Sequence, residues 1–224
     1  MSINKEKYEW IINKLDGKAI LVAVSKTKPA EDIQALYDLG QRDFGENYVQ
    51  ELKDKHEQLP KDIRWHFIGH LQSNKVKYIA PFVHLIHGAD SFNLLKEINK
   101  QALKNNRIID CLLQIYIAKE ESKFGLDKKE LHELFQVQEL NELKNIRITG
   151  FMGMASFTED NDLIIKEFTS LKTLFDKYAQ LSTFNFQLST LSMGMSADFQ
   201  FALDAGSNMV RIGSMLFGNR IKTS

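Results

Sequence analysis

The chain has 224 residues, of which 43% are hydrophobic and 26% are charged, as is usual for globular proteins. Basic and acidic residues both number 29, so the formal net charge is zero, which excludes a global attraction to nucleic acid or anionic membranes. The single cysteine, Cys111, excludes an internal disulfide, and the lack of a bilayer-spanning apolar run or a signal-peptide core predicts a cytoplasmic protein with a buried, reduced thiol.

Short β-rich runs alternate with helical patterns along the chain. The predicted strands are residues 19–26, 43–45, 65–69, 84–87, 108–117, 146–152, 185–191 and 209–213. The predicted helices are residues 4–15, 30–39, 49–58, 74–80, 91–105, 127–140, 160–181 and 197–205. Most of the strands are apolar on both faces, as a parallel sheet covered by helices requires. We therefore expect one α/β domain over residues 1–224, a single (β/α)8 TIM barrel with an extra N-terminal helix. An open doubly wound sheet is the alternative.

Unusual residues collect where the predicted strands end, which is where (β/α)8 barrels carry their chemistry. After the seventh strand come Ser192, Gly194 and Ser196, and after the eighth come Gly213 and Ser214. Loops seven and eight form a recurrent phosphate site in this fold, because glycines let the backbone approach and hydroxyls donate hydrogen bonds. Such residues are also common in turns, but their occurrence at both strand ends favours a phosphate site.

Lys26 and Lys28 follow the first predicted strand. An inward-facing lysine opposite a phosphate site can form a Schiff base with a carbonyl compound if desolvation or a nearby cation lowers its pKa. Arg211, at the end of the eighth strand, could be that cation. The ordinary alternative is a solvated lysine that ends the strand. The two lysines have the same side-chain parity, but we place Lys26 in the strand and Lys28 in the loop before Pro29.

Other patterns carry less information. His66 and His70 are four residues apart, but on a strand and its turn rather than a helix, so a zinc site is weakly supported. Residues 119–125, with alternating acidic and basic side chains, are predicted to form a solvated loop after the fifth strand. The sequence has no Walker loop, no Gly-x-Gly-x-x-Gly motif and no Gly-x-Ser-x-Gly elbow.

Five blocks of sequence resemble one known family, the pyridoxal 5′-phosphate (PLP) homeostasis proteins. The blocks are AVSKTKP (23–29), FGENYVQE (44–51), WHFIGHLQ (65–72), LSMGMSAD (191–198) and VRIGS (210–214). The resemblance extends from about residue 18 to residue 220. The segment 150–156 departs from the more aliphatic, proline-containing segment of many members, and Ser214 replaces a common threonine while keeping the hydroxyl.

The resemblance implies the fold of the alanine racemase N-terminal barrel and a role for each candidate residue. Lys26 would carry PLP as a covalent aldimine, and Lys28 would be a second lysine that handles the cofactor. Ser192, Gly213 and Ser214 would surround the phosphate. Arg211 would lie near the pyridine nitrogen, and Asn47 and His66 would line the ring pocket.

The implied function is PLP binding, intracellular vitamin B6 homeostasis and delivery of the cofactor to apo PLP enzymes, by a monomer without robust turnover. An arginine at the ring nitrogen disfavours its protonation and so weakens the electron sink that carbanion chemistry needs. Three alternatives remain at this stage: a PLP-dependent amino-acid racemase, a barrel lyase in which Lys26 condenses with a phosphorylated sugar, and a protein-interaction module without a ligand.

Overall fold

Parallel strands form the centre of the structure, a computed structural model that describes residues 3–118, 124–181 and 187–218. The strands are β1 Ile20–Val24, β2 Asp43–Glu46, β3 Arg64–Phe67, β4 Leu85–Ala89, β5 Ile109–Ile115, β6 Ile146–Gly153, β7 Thr190–Ser192 and β8 Met209–Ile212. They pair in sequential order into a closed barrel. The closing pair is β1 with β8, where Ile20 lies opposite Met209 and Ala23 lies opposite Ile212. The predicted (β/α)8 barrel is therefore confirmed, and the open sheet is wrong.

Helices cover the outside of the barrel. They are α1 Lys5–Leu15, α2 Ala30–Asp38, α3 Val49–Gln58, α4 Val76–Ile79, α5 Phe92–Lys104, α6 Lys128–Leu134, α7 Asn161–Ala179, α8 Phe199–Asp204 and α9 Ser214–Phe217. Side chains cap several of their N-termini, as the sequence favours. Ser91, the N-cap of α5, accepts a hydrogen bond from the Leu94 N–H at 3.3 Å, and Asp127 forms a capping box with Glu130.

Three predicted elements differ from the structure. β1 ends at Val24, so Lys26 lies in the following turn rather than in the strand. The predicted helix 127–140 divides into α6 and a 3₁₀ turn, Gln138–Glu142, because the polypeptide leaves the helical path at Phe135. β7 is short and begins at Thr190. Residues 185–186 of its predicted span, and residues 119–123 of the predicted solvated loop, lie outside the described residues.

The strands separate two cores with different chemistry. Outside the barrel, one large apolar core packs the strands against the helices and includes Cys111, whose thiol pKa is raised by burial. Inside the barrel, a small apolar cluster contains Val22, Leu85 and Met209. The rest of the barrel interior contains buried polar side chains, among them His66, His87 and Arg211. In most barrels of this fold, branched aliphatic side chains occupy these positions. Within the described ranges, no helix combines the length and apolarity needed to cross a membrane. That residues 1–224 form one domain stays a prediction.

Candidate functional site

A cavity of about 780 Å³ opens at the carboxyl ends of the strands. Six of the eight predicted site residues line it, and they come from three separate strand ends, those of β1, β2 and β8: Lys26, Lys28, Asn47, Arg211, Gly213 and Ser214. Ser196, which the sequence also placed at the seventh strand end, lines it as well. The cavity therefore brings together both lysines and most of the residues expected at the phosphate end.

The two lysines occupy different environments. Lys26 is half-buried in the turn after β1. The Lys28 ammonium donates to the carbonyl oxygens of Phe217 at 2.8 Å and Gly218 at 3.3 Å, just after β8. Lys28 therefore ties the β1 turn to the end of α9, a contact between residues 189 positions apart that sequence spacing could not reveal.

The end of the cavity formed by the loops after β7 and β8 is built largely from backbone and hydroxyl groups. Ser196 Oγ lies 3.4 Å from the Gly213 N–H, which donates to it. The Met195 N–H donates to Asp198 Oδ1 at 2.5 Å, and the Arg211 N–H donates to the Gly194 carbonyl at 3.0 Å. Gly194 has φ +96°, and a Cβ there would lie 2.6 Å from Ala202 Cβ, so the loop needs glycine at this position.

Arg211 places a buried cation at the floor of the cavity. Its guanidinium donates to Ser192 Oγ at 2.7 Å and to the Gly153 carbonyl at 3.0 Å. Burial lowers the pKa of Arg211 to about 10, although the Asp198 carboxylate acts in the opposite direction. Arg211 therefore keeps its charge at neutral pH.

Ser192 and His66 are not among the residues that line the cavity. Both are buried, and their side chains point into the barrel; their roles around the cofactor stay predictions. His66 Nδ1 lies 2.9 Å from His87 Nε2, and His87 Nδ1 lies 3.4 Å from Ser192 Oγ. Ser192 is thus a partner of Arg211, and after β7 and β8 the serines that line the cavity are Ser196 and Ser214.

These contacts continue through the barrel interior as a chain of hydrogen bonds. His66 Nε2 lies 2.9 Å from Asp43 Oδ1 at the opposite end of the barrel. One donor order that satisfies the whole chain runs from Arg211 through Ser192, His87 and His66 to Asp43. Burial, together with the nearby His66, lowers the pKa of His87 well below its ordinary value, so His87 stays neutral and can accept from one side and donate on the other.

The described residues contain one group with metal-ligand chemistry, Asp43, His66 and His84. It lies at the end of the barrel opposite the cavity. The Arg64 guanidinium donates to both Asp43 oxygens, at 2.7 and 2.5 Å. Burial acts to raise the pKa of Asp43, but hydrogen bonds from Arg64 and His66 outweigh it and lower that pKa to about 2. The carboxylate is therefore already neutralised by a cation, and the zinc pair His66–His70 is not formed.

Sequence reasoning missed a charged cluster behind the lysine turn. Glu46, Glu51 and Lys55, which we call the carboxylate–lysine cluster, lie on the helix side of the sheet. The Lys55 ammonium is 2.7 Å from both Glu46 Oε1 and Glu51 Oε1. The composition of α3 alone predicts that its charged side chains face the solvent. The one local signal of a contact is that Glu51 and Lys55 are four residues apart, a spacing that brings two side chains together on a helix.

The rim of the cavity is more apolar than its floor. The His70 ring stacks on Phe124 with centroids 4.3 Å apart, and Gln114 donates to the Phe124 carbonyl at 2.8 Å. Phe157, also at the rim, is 92% exposed. These residues lie at the ends of β3, β5 and β6.

Comparison with known proteins places the chain among its relatives. The alanine racemase N-terminal domain family matches residues 4–220. A pyridoxal phosphate homeostasis protein of Aquifex aeolicus is 42% identical over 203 residues, which are 90% of this chain and 87% of that relative. The Escherichia coli K12 protein of the same name is 39% identical over 204 residues, covering 89% and 85%. The chain belongs to the pyridoxal phosphate homeostasis protein family.

Solved structures agree with this family membership. PipY of Synechococcus elongatus, solved with PLP bound, has 33% identity and a TM-score of 0.85, covering 95% of this chain and 99% of that one. An alanine racemase of Bartonella henselae shares only the fold, with 19% identity and a TM-score of 0.67. The comparison covers 95% of this chain but 58% of the racemase. The family resemblance seen in the five sequence blocks is thus confirmed, and the racemase alternative is not favoured.

Proposed function

We propose that this pyridoxal phosphate homeostasis family member binds PLP in the cavity and holds it covalently through Lys26. The observation that carries the proposal is a single cavity with lysines at one end, serine hydroxyls and glycine backbone at the other, and a buried cation between them. PLP has the matching parts: an aldehyde, a phosphate and a pyridine ring.

The end formed by the β7 and β8 loops fits a phosphate. The Ser196 and Ser214 hydroxyls both face the cavity, and Gly213 lies between their loops without a side chain to fill the space. Hydroxyl and backbone N–H groups are ordinary phosphate partners. We assign the phosphate to Ser196, Gly213 and Ser214. Ser192 acts one step further away, by accepting the hydrogen bond that fixes Arg211.

The floor and the lysine end fit the remainder of the cofactor. Arg211 remains protonated at neutral pH, so it can donate to a pyridine nitrogen and keep that nitrogen unprotonated. Asn47 lines the cavity beside the ring position. When bound, PLP supplies an aldehyde that reacts with primary amines. We assign that reaction to Lys26, because the Lys28 ammonium is held by the carbonyl oxygens of Phe217 and Gly218.

This arrangement suits storage and transfer better than rapid turnover. A pyridine nitrogen that faces a guanidinium is a weak electron sink, since carbanion chemistry benefits from a carboxylate that protonates it. We therefore propose that the protein takes part in PLP homeostasis and transfers the cofactor to apo PLP enzymes. We also expect it to act in the cytoplasm, where its lone thiol Cys111 stays reduced, and as a monomer.

The test is the covalent link. Purified protein is incubated with PLP, reduced with borohydride and mapped by mass spectrometry, with the absorbance of the adduct recorded before reduction. We expect the modification on Lys26, and we expect Lys26→Ala to abolish it while weaker phosphate-dependent binding persists. Lys53→Ala, on the exposed face of α3, is the matched control and should behave as the unaltered protein.

Three outcomes would contradict the proposal. An adduct on Lys28 alone would show that the covalent lysine is misassigned. A colourless protein without any adduct would remove the proposed function and favour the lyase or the interaction module. Multiple turnovers of amino-acid racemisation that disappear in Lys26→Ala would show an enzyme instead of a cofactor carrier.

A further inference from the structure

The backbone on both sides of Lys26 is held by charged side chains. On one side, the Lys55 ammonium donates to the Ser25 carbonyl at 2.8 Å, and the Ser25 hydroxyl donates to Glu46 Oε1 at 2.6 Å. On the other side, the Thr27 N–H donates to Glu51 Oε1 at 2.5 Å. All three charged groups belong to the carboxylate–lysine cluster, so the cluster grips both neighbours of the lysine that we assign to the cofactor.

The turn needs such a grip because its backbone is strained. Thr27 has φ +64°, a left-handed conformation that a β-branched residue rarely adopts and that costs about 1–3 kcal/mol. A turn held in this state returns to a commoner conformation unless other contacts oppose the change. The Glu51 bond to the Thr27 N–H and the Lys55 bond to the Ser25 carbonyl are contacts of that kind.

The cluster is also buried, which makes its charges interdependent. The Glu46 side chain is fully buried and the Lys55 side chain is 7% exposed. Glu46 Oε2 has no hydrogen-bond partner among the described residues. The groups that face Glu46 are Ser25 from the β1 turn and Lys55 and Glu51 from α3. The Lys55 ammonium therefore has two carboxylate partners, Glu46 and Glu51, and it loses one of its two ionic contacts when Glu46 is protonated.

We infer that Glu46, Glu51 and Lys55 are positioning residues for Lys26, and that protonation of Glu46 loosens the turn that carries it. With Glu46 ionised, Lys55 is drawn between two carboxylates and keeps its bond to the Ser25 carbonyl. With Glu46 neutral, Lys55 keeps only Glu51 as an ionic partner, and the Ser25 hydroxyl loses its charged acceptor. The link to PLP rests on the proposed function, but the link to the turn does not.

The Glu46 carboxyl titrates near neutral pH. Burial raises its pKa to about 7, although Lys55 and the Ser25 hydroxyl act to lower it. A protein that holds PLP through Lys26 would thus hold it more tightly above pH 7 and release it faster below. No metal or further ligand is needed for this effect.

The experiment measures two quantities between pH 5.5 and 8.5, in the unaltered protein, in Glu46→Gln and in Glu51→Ala. The first is the exchange rate of the Thr27 amide hydrogen in protein without cofactor, corrected for the intrinsic pH dependence of exchange. The second is the rate at which bound PLP is released after dilution, followed by absorbance. Glu57→Gln and Glu57→Ala, at an exposed position of α3, are the matched controls.

We expect protection of Thr27 in the unaltered protein to rise through a step near pH 7, and PLP release to slow through the same step. Glu46→Gln should lose both steps. Glu51→Ala should speed Thr27 exchange and PLP release by roughly tenfold, since a hydrogen bond to a charged group contributes about 1.5–3 kcal/mol. Thermal unfolding identifies any variant that fails to fold. The fold should tolerate Glu51→Ala more easily than a substitution at Glu46, because the Glu51 side chain is only half-buried.

The outcomes separate the inference from the proposed function. If both variants match the Glu57 controls in Thr27 exchange and PLP release, the positioning role is wrong, while an adduct on Lys26 still supports PLP binding. If no adduct forms but the Thr27 step is present and depends on Glu46, the covalent link to Lys26 is wrong and the positioning of the turn by the cluster stands. A step that persists in Glu46→Gln would overturn the assignment to Glu46.

Discussion

The two ends of the cavity are held in place by different kinds of interaction. At the lysine end, buried and half-buried charges from β2 and α3 grip a strained turn. At the phosphate end, backbone groups and hydroxyls dominate. Ser207 Oγ lies within 3.1 Å of the carbonyl oxygens of Leu191, Met193 and Met209. The lysine end should therefore change its stability with pH near neutrality, because Glu46 titrates there. The end formed by the β7 and β8 loops should change little with pH, because backbone groups and hydroxyls hold it.

The largest effect should come from the backbone of the phosphate end. Gly194→Ala adds a Cβ 2.6 Å from Ala202 Cβ and 2.9 Å from Phe199 Cα at φ +96°. Backbone strain and overpacking together should lower the free energy of unfolding by about 2–4 kcal/mol. Urea denaturation measures this loss. Gly40→Ala, at φ +101° with no atom within 4 Å of the added Cβ, should cost only about 1 kcal/mol; an equal loss in both variants would show that packing against α8 is unimportant.

The next effect concerns the pH dependence of stability at the lysine end. Burial raises the pKa of Glu46 from 4.5 to about 7, so the folded protein binds this proton more tightly than the unfolded chain does. The stabilisation is complete below pH 4.5 and is lost as the pH rises through about 7. It should amount to on the order of 3 kcal/mol.

Urea denaturation at several pH values tests this expectation by comparing the unaltered protein with Glu46→Gln. The variant should lack this component of the decline in stability between pH 4.5 and 7, whereas Glu57→Gln should retain it. If the free energy of unfolding changes with pH in the same way in all three proteins, Glu46 does not titrate in this range. The proposed difference in pH response between the two ends of the cavity would then be wrong.

A third prediction separates cofactor binding from stability at the cavity floor. Arg211→Met removes a buried cation and leaves the Ser192 hydroxyl and the Gly153 carbonyl without their donor. The free energy of unfolding should fall by about 1–3 kcal/mol. Affinity for PLP should fall roughly tenfold or more, because a charged donor to the ring is lost.

Fluorescence titration with PLP and urea denaturation together provide the measurement. Arg147→Met removes an exposed arginine paired with Asp110 near the start of β6, and it should leave the affinity unchanged. An Arg211→Met variant that binds PLP normally but unfolds easily would show that the guanidinium is a structural group.

The smallest effect should come from the strained turn itself. Asparagine tolerates the left-handed conformation better than threonine, so Thr27→Asn, at φ +64°, should raise the free energy of unfolding by about 0.5–1 kcal/mol. Thermal unfolding can detect the change. Thr169→Asn, in the regular part of α7, should lie within about 0.5 kcal/mol of the unaltered protein. No gain at Thr27 would indicate that the turn is not strained.

Much of the site was predictable because its signals are local. Gly213 and Ser214 follow an apolar strand directly, and Lys26 and Lys28 do the same after β1, so strand order alone places them at one end of a barrel. Arg211 was singled out by its position at the end of the eighth strand, and Asn47 through sequence blocks shared with a family. Their common cavity confirms that placement, while their contacts with PLP stay a prediction.

What the sequence did not reveal is the depth of each residue along the barrel axis. Ser192 and Ser196 are four residues apart, yet one is buried beside Arg211 and the other lines the cavity. His66 contacts His87 and Asp43 inside the barrel, and its place at the ring pocket stays a prediction. Strand tilt and stagger set the height of each residue in a closed barrel, and these quantities are properties of the assembled sheet.

The sequence by itself determined the barrel, its strand order and the end at which lysines, glycines and hydroxyls gather, because hydrophobic periodicity and turn chemistry act over a few residues. Only the tertiary structure decided which side chains meet. It joined Lys28 to Phe217 and Lys55 to the Ser25 carbonyl, and it buried Glu46 beneath the lysine turn. Such pairings depend on the closure of β1 against β8 and on the packing of α3 behind the sheet. Neither of these long-range contacts produces a periodic pattern in the sequence.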